Sequence, residues 1–185
     1  IGTQMLAKGL DLPLVTLVGV ILADIGLNLP DFRATERTFQ VLTQVAGRAG
    51  RSPLGGRVVL QTYMPGHYAI TAAARHDFNA FYQQEMDYRR DLGYPPFTRL
   101  VRLEYRHHDA TKAEDAARGM AEQLVALIRE VSPQTEMIGP VPCFFSRLSG
   151  QYRWQIVLRG TNPADMLRGQ RFLDWIVEVD PSSLL

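Results

Sequence analysis

Gln44-Val-Ala-Gly-Arg-Ala-Gly-Arg51 is the stretch on which the fold reading turns. Gln44, Arg48 and Arg51 stand at i, i+4 and i+7, so a helix running through them puts all three on one face, about a turn apart. Gly47 and Gly50 keep the remaining positions small, which lets a neighbouring lobe approach this edge closely. Two guanidiniums and an amide suit a terminal phosphate. Arginine spreads its charge over a planar fork that matches phosphate oxygens, and glutamine can orient an attacking water. The competing reading is a helix C-terminus with glycine stops and basic residues complementing the dipole.

Upstream, residues 14–22 form a β-branched and leucine run suited to a strand buried on both faces, as in a parallel sheet covered by helices. Asn28-Leu-Pro-Asp31 reads as a loop, and Thr35 or Thr38 as the cap of the helix that carries Phe39, Leu42 and Val45. Gly55-Gly56 precedes a second strand over 57–62. Strand, helix and strand in this order predict an α/β unit, the last section of a RecA-like lobe with a parallel sheet. Residues 67–92 predict one helix with Phe78, Phe81 and Tyr82 on one side, stopped by Gly93-Tyr94-Pro95-Pro96-Phe97 because two prolines cannot continue it.

Beyond that stop the pattern changes. Residues 99–106 alternate, with Val101, Leu103 and Tyr105 on one face and Arg102, Glu104 and Arg106 on the other. Thr111-Lys-Ala-Glu114 reads as a capping box for a helix carrying Met120, Leu124, Leu127, Ile128 and Val131. A short strand over 136–141 ends at prolines, residues 151–159 alternate again, Asn162-Pro163 opens a last helix, and Trp175–Val179 closes with a strand. The order βαββαβ predicts an α+β ferredoxin-like sandwich. The expected organisation is therefore 1–75 as the end of the lobe, 76–97 as a helical linker, and 98–185 as a C-terminal domain that binds DNA or a partner.

Gly2-Thr3-Gln4-Met-Leu-Ala-Lys8-Gly9-Leu-Asp11 lies just before the first strand. A Gly-Thr loop offers backbone N–H groups and a hydroxyl to a nucleic-acid phosphate. Gly9 allows a tight turn, and Asp11 can accept from a ribose hydroxyl or hold a phosphate-binding arginine. Followed by one strand and then Gln44–Arg51, this segment resembles motif V, and the later stretch motif VI, of superfamily 2 helicases. Leu-Pro-Asp-Phe-Arg over 29–33, Tyr94-Pro-Pro-Phe97, Gly139-Pro-Val-Pro142 and Tyr152-Arg-Trp-Gln155 narrow it: nearly the whole chain resembles the primosomal protein N′ family, the bacterial replication-restart helicases.

That resemblance implies that Gln44, Arg48 and Arg51 contact the γ-phosphate, with Arg51 as the finger, and that Gly9 and Asp11 lie near the nucleotide. It places Gly2, Thr3, Gln4 and Lys8 on the DNA strand. Leu10 and Leu12 stand where the family commonly has histidine and phenylalanine. ATP with magnesium would be bound together with a first motor lobe, because this sequence has no G-x-x-x-x-G-K-[ST] and no Asp-Glu pair for the metal. The chain begins at Ile1 and enters a motif at once, so a piece of a longer polypeptide is the expectation. Zinc is expected in the full-length protein outside these residues. Implied partners are forked and single-stranded DNA, single-strand-binding protein and primosome proteins, with 3′-to-5′ unwinding by a monomer in the bacterial cytoplasm at the nucleoid. The alternatives are another superfamily 2 translocase and a non-catalytic nucleic-acid or protein-binding module.

No acidic residue occurs from Met137 to Ala164, while Arg147, Arg153 and Arg159 stand beside Phe144, Phe145, Tyr152 and Trp154. Strand parity assigns Tyr152, Trp154, Ile156 and Leu158 to the helix-facing side, so the aromatics are expected in the core. Arg153 and Arg159 fall on the opposite face, with Arg102 and Arg106 on the adjacent central strand. This predicts an open face able to bind phosphates, although Glu104 stands in its middle. Cys143, the single cysteine, is expected to be a small core residue. His107-His108 lacks further ligands at metal spacing, so no metal site is expected. The longest apolar run, 14–23, is too short to span a bilayer.

Overall fold

Strands β1 (Leu17–Val20) and β2 (Arg57–Leu60) pair in parallel, Leu17 opposite Arg57 and Val20 opposite Leu60. The computed structural model describes residues 16–49 and 56–185, with 48 and 49 described by backbone alone. The chain is mixed α and β and divides into two compact units, Ile1–Tyr88 and Arg89–Leu185.

In the first unit, the turns after β1 and β2 are tied together. Ala23 N donates to Gln61 O at 2.9 Å, and the buried Asp24 carboxylate accepts from Tyr63 N at 3.1 Å. Helix α1 (Ala34–Ala49) opens after Asp31, whose Oδ1 accepts from Arg33 N at 2.8 Å. The caps expected at Thr35 or Thr38 are therefore corrected. Both lie inside the helix, and Thr38 Oγ1 donates back to Ala34 O. Phe39 and Leu42 of α1 enter a core shared with Ala69, Ile70, Ala72 and Ala73 of α2 (Tyr68–Arg75) and Phe81 of α3 (Phe78–Asp91). The Phe39 and Phe81 rings stack at 4.0 Å, a geometry worth roughly 0.5–1.5 kcal/mol beyond the area they bury.

The single helix expected over 67–92 is two helices. His76 adopts the left-handed conformation (φ 54°), ending α2, and the Asp77 carboxylate accepts from Ala80 N to open α3. Phe81 is buried, whereas Phe78 and Tyr82 are exposed, so only one of the three aromatics reaches the core. The stop at Gly93 and the two prolines is where expected, with α3 ending at Asp91 and Gly93 at φ +60°.

The second unit is an antiparallel sheet of four strands in the order β4-β5-β3-β6, namely Glu136–Leu148, Gln151–Gly160, Arg99–His107 and Trp175–Val179. β3 and β5 are central neighbours, as anticipated. Helix α4 (Ala110–Val131) packs on one face through Leu124, with Val101, Leu103, Ile156 and Leu158 of the sheet beneath it. Its cap is Asp109, which accepts from Lys112 N at 3.0 Å, not Thr111. Ala113, Ala117 and Ala121 are buried along the same helix, where small side chains allow close approach to the sheet.

Two further expectations are corrected. The last helix is only a single 3₁₀ turn, Asp165–Leu167. Met166 and Leu167 bury themselves in that turn, and Gly169 (φ +79°) follows, so the chain does not propagate further as a helix. Strand β4 does not end at its prolines but runs on to Leu148. It is an edge strand, so Pro140 and Pro142 need no partner on the outer side, and register shifts between Ile138 and Val141 and between Pro142 and Arg147 absorb the irregularity.

Gly139 sits in the first of these irregular stretches at φ +100°, and an added Cβ would lie 2.9 Å from Gln155 O and 3.1 Å from Val141 N. Both contacts are to backbone, which cannot swing away. Gly139→Ala is expected to cost roughly 1–3 kcal/mol, read as a lower urea midpoint. An unchanged midpoint would refute the geometry.

Candidate nucleotide and nucleic-acid site

Along α1, Glu36, Arg37, Gln40 and Gln44 lie on the side turned away from Phe39 and Leu42, and Arg33 immediately precedes the helix. Arg33 donates to Glu36 through Nε and Nη2 at 3.1 and 2.7 Å, and Arg37 Nη1 reaches the fully buried Asp31 carboxylate at 3.3 Å. These pairs fix the first turn. Gln44 is exposed near the other end, and the helix continues through Arg48. The backbone therefore holds Gln44 and Arg48 one turn apart. The Arg48 side chain lies outside the described residues, as do Arg51, Gly9 and Asp11, and likewise Gly2, Thr3, Gln4 and Lys8.

The arginine face of the second unit differs from the open surface expected. Glu104 is 0% exposed and stands at its centre. Arg153 is 5% exposed and grips it bidentately, Nε to Oε1 at 2.7 Å and Nη2 to Oε2 at 3.0 Å. Arg106 Nε donates to the same Oε1 at 2.7 Å. Arg102, also buried, lies 3.4 Å from Glu104 and 2.6 Å from Glu178 on β6. Arg159 pairs with Glu136, donates to Leu92 O, and lies over the Tyr94 ring at 5.5 Å. The charged groups expected to meet phosphate are thus engaged within the domain, and of these four arginines Arg106 has the most accessible side chain, at 40%.

Register explains the arrangement. Arg106 and Arg153 face each other directly across β3 and β5, an unfavourable pairing of like charges unless a carboxylate intervenes. Glu104 supplies it. Burial pushes the Glu104 pKa up, but hydrogen bonds and charge from Arg153 and Arg106 outweigh burial and hold it below the ordinary carboxylate value. Cys143 is buried as expected, and burial together with Glu104 pushes its thiol up to about 11. Arg102 Nε and Gln155 Oε1 are buried without a hydrogen-bond partner.

Parity reasoning missed Phe144 and Phe145. Both are exposed in the irregular part of β4, whereas Ile156 and Leu158 are buried as expected. The signal was present in Pro140 and Pro142, since prolines in a strand warn that alternation is interrupted.

Residues 90–182 match the family described as the primosomal protein N C-terminal domain. The chain belongs to that family. It is 46% identical over 159 residues to the replication restart protein PriA of Bacillus subtilis, covering 86% of this chain and 19% of that protein. The corresponding figures for the Treponema pallidum protein of the same name are 42% over 175 residues, covering 94% and 26%. The Synechocystis protein is 42% identical over 160 residues, covering 86% and 19%. The chain thus spans about a fifth to a quarter of the length of these primosomal relatives.

Removing one partner of a buried ion pair leaves the other charge uncompensated. Glu104→Ala is expected to cost roughly 3–5 kcal/mol, whereas Glu178→Ala, with a half-exposed carboxylate, should cost roughly 1 kcal/mol or less. Because the folded Glu104 pKa is lowered, its stabilisation is present above its unfolded value near 4.5 and is lost as pH falls below that. Urea titrations from pH 7 to pH 3 should show the wild type losing stability in that acid range and Glu104→Gln losing less. Parallel curves would contradict this role.

Proposed function

We propose that this chain is the C-terminal portion of an ATP-dependent, 3′-to-5′ DNA helicase that restarts replication and assembles primosomes at forked DNA. The family match and the replication-restart names of its relatives support the restart role. The observation that carries the motor reading is the Gln44–Arg51 motif, whose described part lies on α1 with an exposed Gln44 one helical turn from Arg48.

An exposed amide followed by guanidiniums fits a nucleotide's terminal phosphate. Bound together with magnesium on a preceding lobe, ATP supplies the phosphoryl group. In this reading Arg51 neutralises charge developing on the transferred group, Arg48 holds it from the side, and Gln44 orients the attacking water. Gly9 and Asp11 border the nucleotide. Gly2, Thr3, Gln4 and Lys8 hold the tracked strand through its backbone. In the second unit Arg106 is the cation of the sheet face offered to phosphate, while Arg102, Arg153 and Arg159 position the strands. The partners of the full-length protein are forked and single-stranded DNA, single-strand-binding protein and primosome proteins. Zinc binding belongs to segments outside these residues, and the protein acts as a monomer in the cytoplasm.

DNA-stimulated ATP turnover of the full-length protein tests this. Arg51→Ala should lower kcat by roughly 10³-fold or more, the range for arginine fingers in phosphoryl transfer, with little change in DNA affinity. The 185-residue chain alone should show no turnover. Activity of the isolated chain, or an Arg51→Ala enzyme with normal kcat, would sink the assignment.

A further inference from the structure

Between Pro142, which pairs with Trp154, and Arg147, which pairs with Tyr152, residues 143–146 of β4 lie opposite the single residue Arg153 of β5. An insertion of this kind re-aims side chains. Cys143 turns inward, and Phe144 and Phe145 turn out, 48% and 54% exposed, with their rings edge to face at 5.0 Å. The displaced backbone is held from below: Arg153 Nη1 donates to Phe145 O at 3.3 Å while its other nitrogens grip buried Glu104. Burying a phenylalanine side chain gains roughly 1.5–3 kcal/mol, so two adjacent exposed rings on an anchored bulge offer binding energy to an occupant that covers them.

The charge around the rings identifies its chemistry. No Asp or Glu occurs from Met137 to Ala164. Arg147 closes the bulge and lies over the Tyr152 ring at 5.2 Å, and Arg106, opposite Arg153, keeps an exposed side chain. An extended peptide adding to this edge is disfavoured, because Pro140 and Pro142 have no N–H to donate. We infer that Phe144 and Phe145 form a stacking platform for bases of an unpaired nucleic-acid strand, with Arg147 and Arg106 meeting its phosphates. This rests on the DNA-binding reading above and adds to it a named contact. Aromatic rings suit such a strand because every base presents a π-face, whatever the sequence.

The test uses the full-length protein and fluorescence anisotropy with two labelled strands of equal length, oligothymidylate and an abasic deoxyribose-phosphate strand. Phe144→Leu with Phe145→Leu keeps apolar bulk and removes the rings. Its affinity for oligothymidylate should fall roughly tenfold, within the range for losing aromatic–base stacking, and its affinity for the abasic strand should equal that of the wild type. A 5-iodouracil-substituted strand should photo-crosslink to Phe144 or Phe145 in the wild type, as identified by mass spectrometry. That readout involves no substitution and therefore no folding defect. Unchanged oligothymidylate affinity in the Leu variant, or crosslinks only elsewhere, would overturn the platform and leave the rings as a protein-docking surface. A wild-type protein that binds neither strand would overturn the DNA-binding reading itself.

Discussion

A carboxylate fully withdrawn from water must find charge and hydrogen bonds within the protein, and Glu104 finds three arginines. The consequences run across the whole sheet of the second unit. Arg153 brings β5 to β3 and holds the β4 bulge by a backbone carbonyl, while Arg102 links the same centre to Glu178 on β6. One buried charge thus ties all four strands. Hydrophobic packing of α4 on the opposite face supplies burial energy but is non-directional. The ion network constrains which groups stand opposite which, because bidentate geometry tolerates little displacement.

That constraint redistributes function. An arginine that holds a buried carboxylate has its fork occupied and its head removed from solvent, so it cannot release condensed counterions from a DNA phosphate as an exposed one does. The sheet's arginines are therefore mostly structural, and exposure falls instead on Arg106, Arg147 and the two phenylalanines of the bulge. In the first unit the division differs. Arg33 and Arg37 are taken up with Glu36 and Asp31 at the start of α1, and Gln44 near its other end is exposed.

Much of this was legible in the residues. The strands expected over 99–106 and 151–159 followed from alternation, and the helix stop at Gly93 from two prolines. The misses share a cause. His76 breaks a helix that periodicity joined because apolar spacing records which side chains face a core, not whether the backbone between them stays helical. Asn162 and Pro163 do not cap the turn at Asp165–Leu167, whose N-cap is Ala164 with no side-chain hydrogen bond, since residue types that favour a helix start fix neither its position nor its length. Phe144 and Phe145 escaped because parity propagates only through an unbroken strand.

The sequence by itself determined the family, because the resemblance rests on residue types at fixed local spacing. It also determined the central pairing of β3 and β5, since the order of strands and helices permits few compact topologies. Only the tertiary structure decided which arginines remain available to a ligand. Arg106 and Arg153 look alike along the chain, and what separates them is that one closes over Glu104 from the sheet's interior while the other reaches it from the rim. Burial and partner choice depend on residues dozens of positions away, information that a local pattern does not hold.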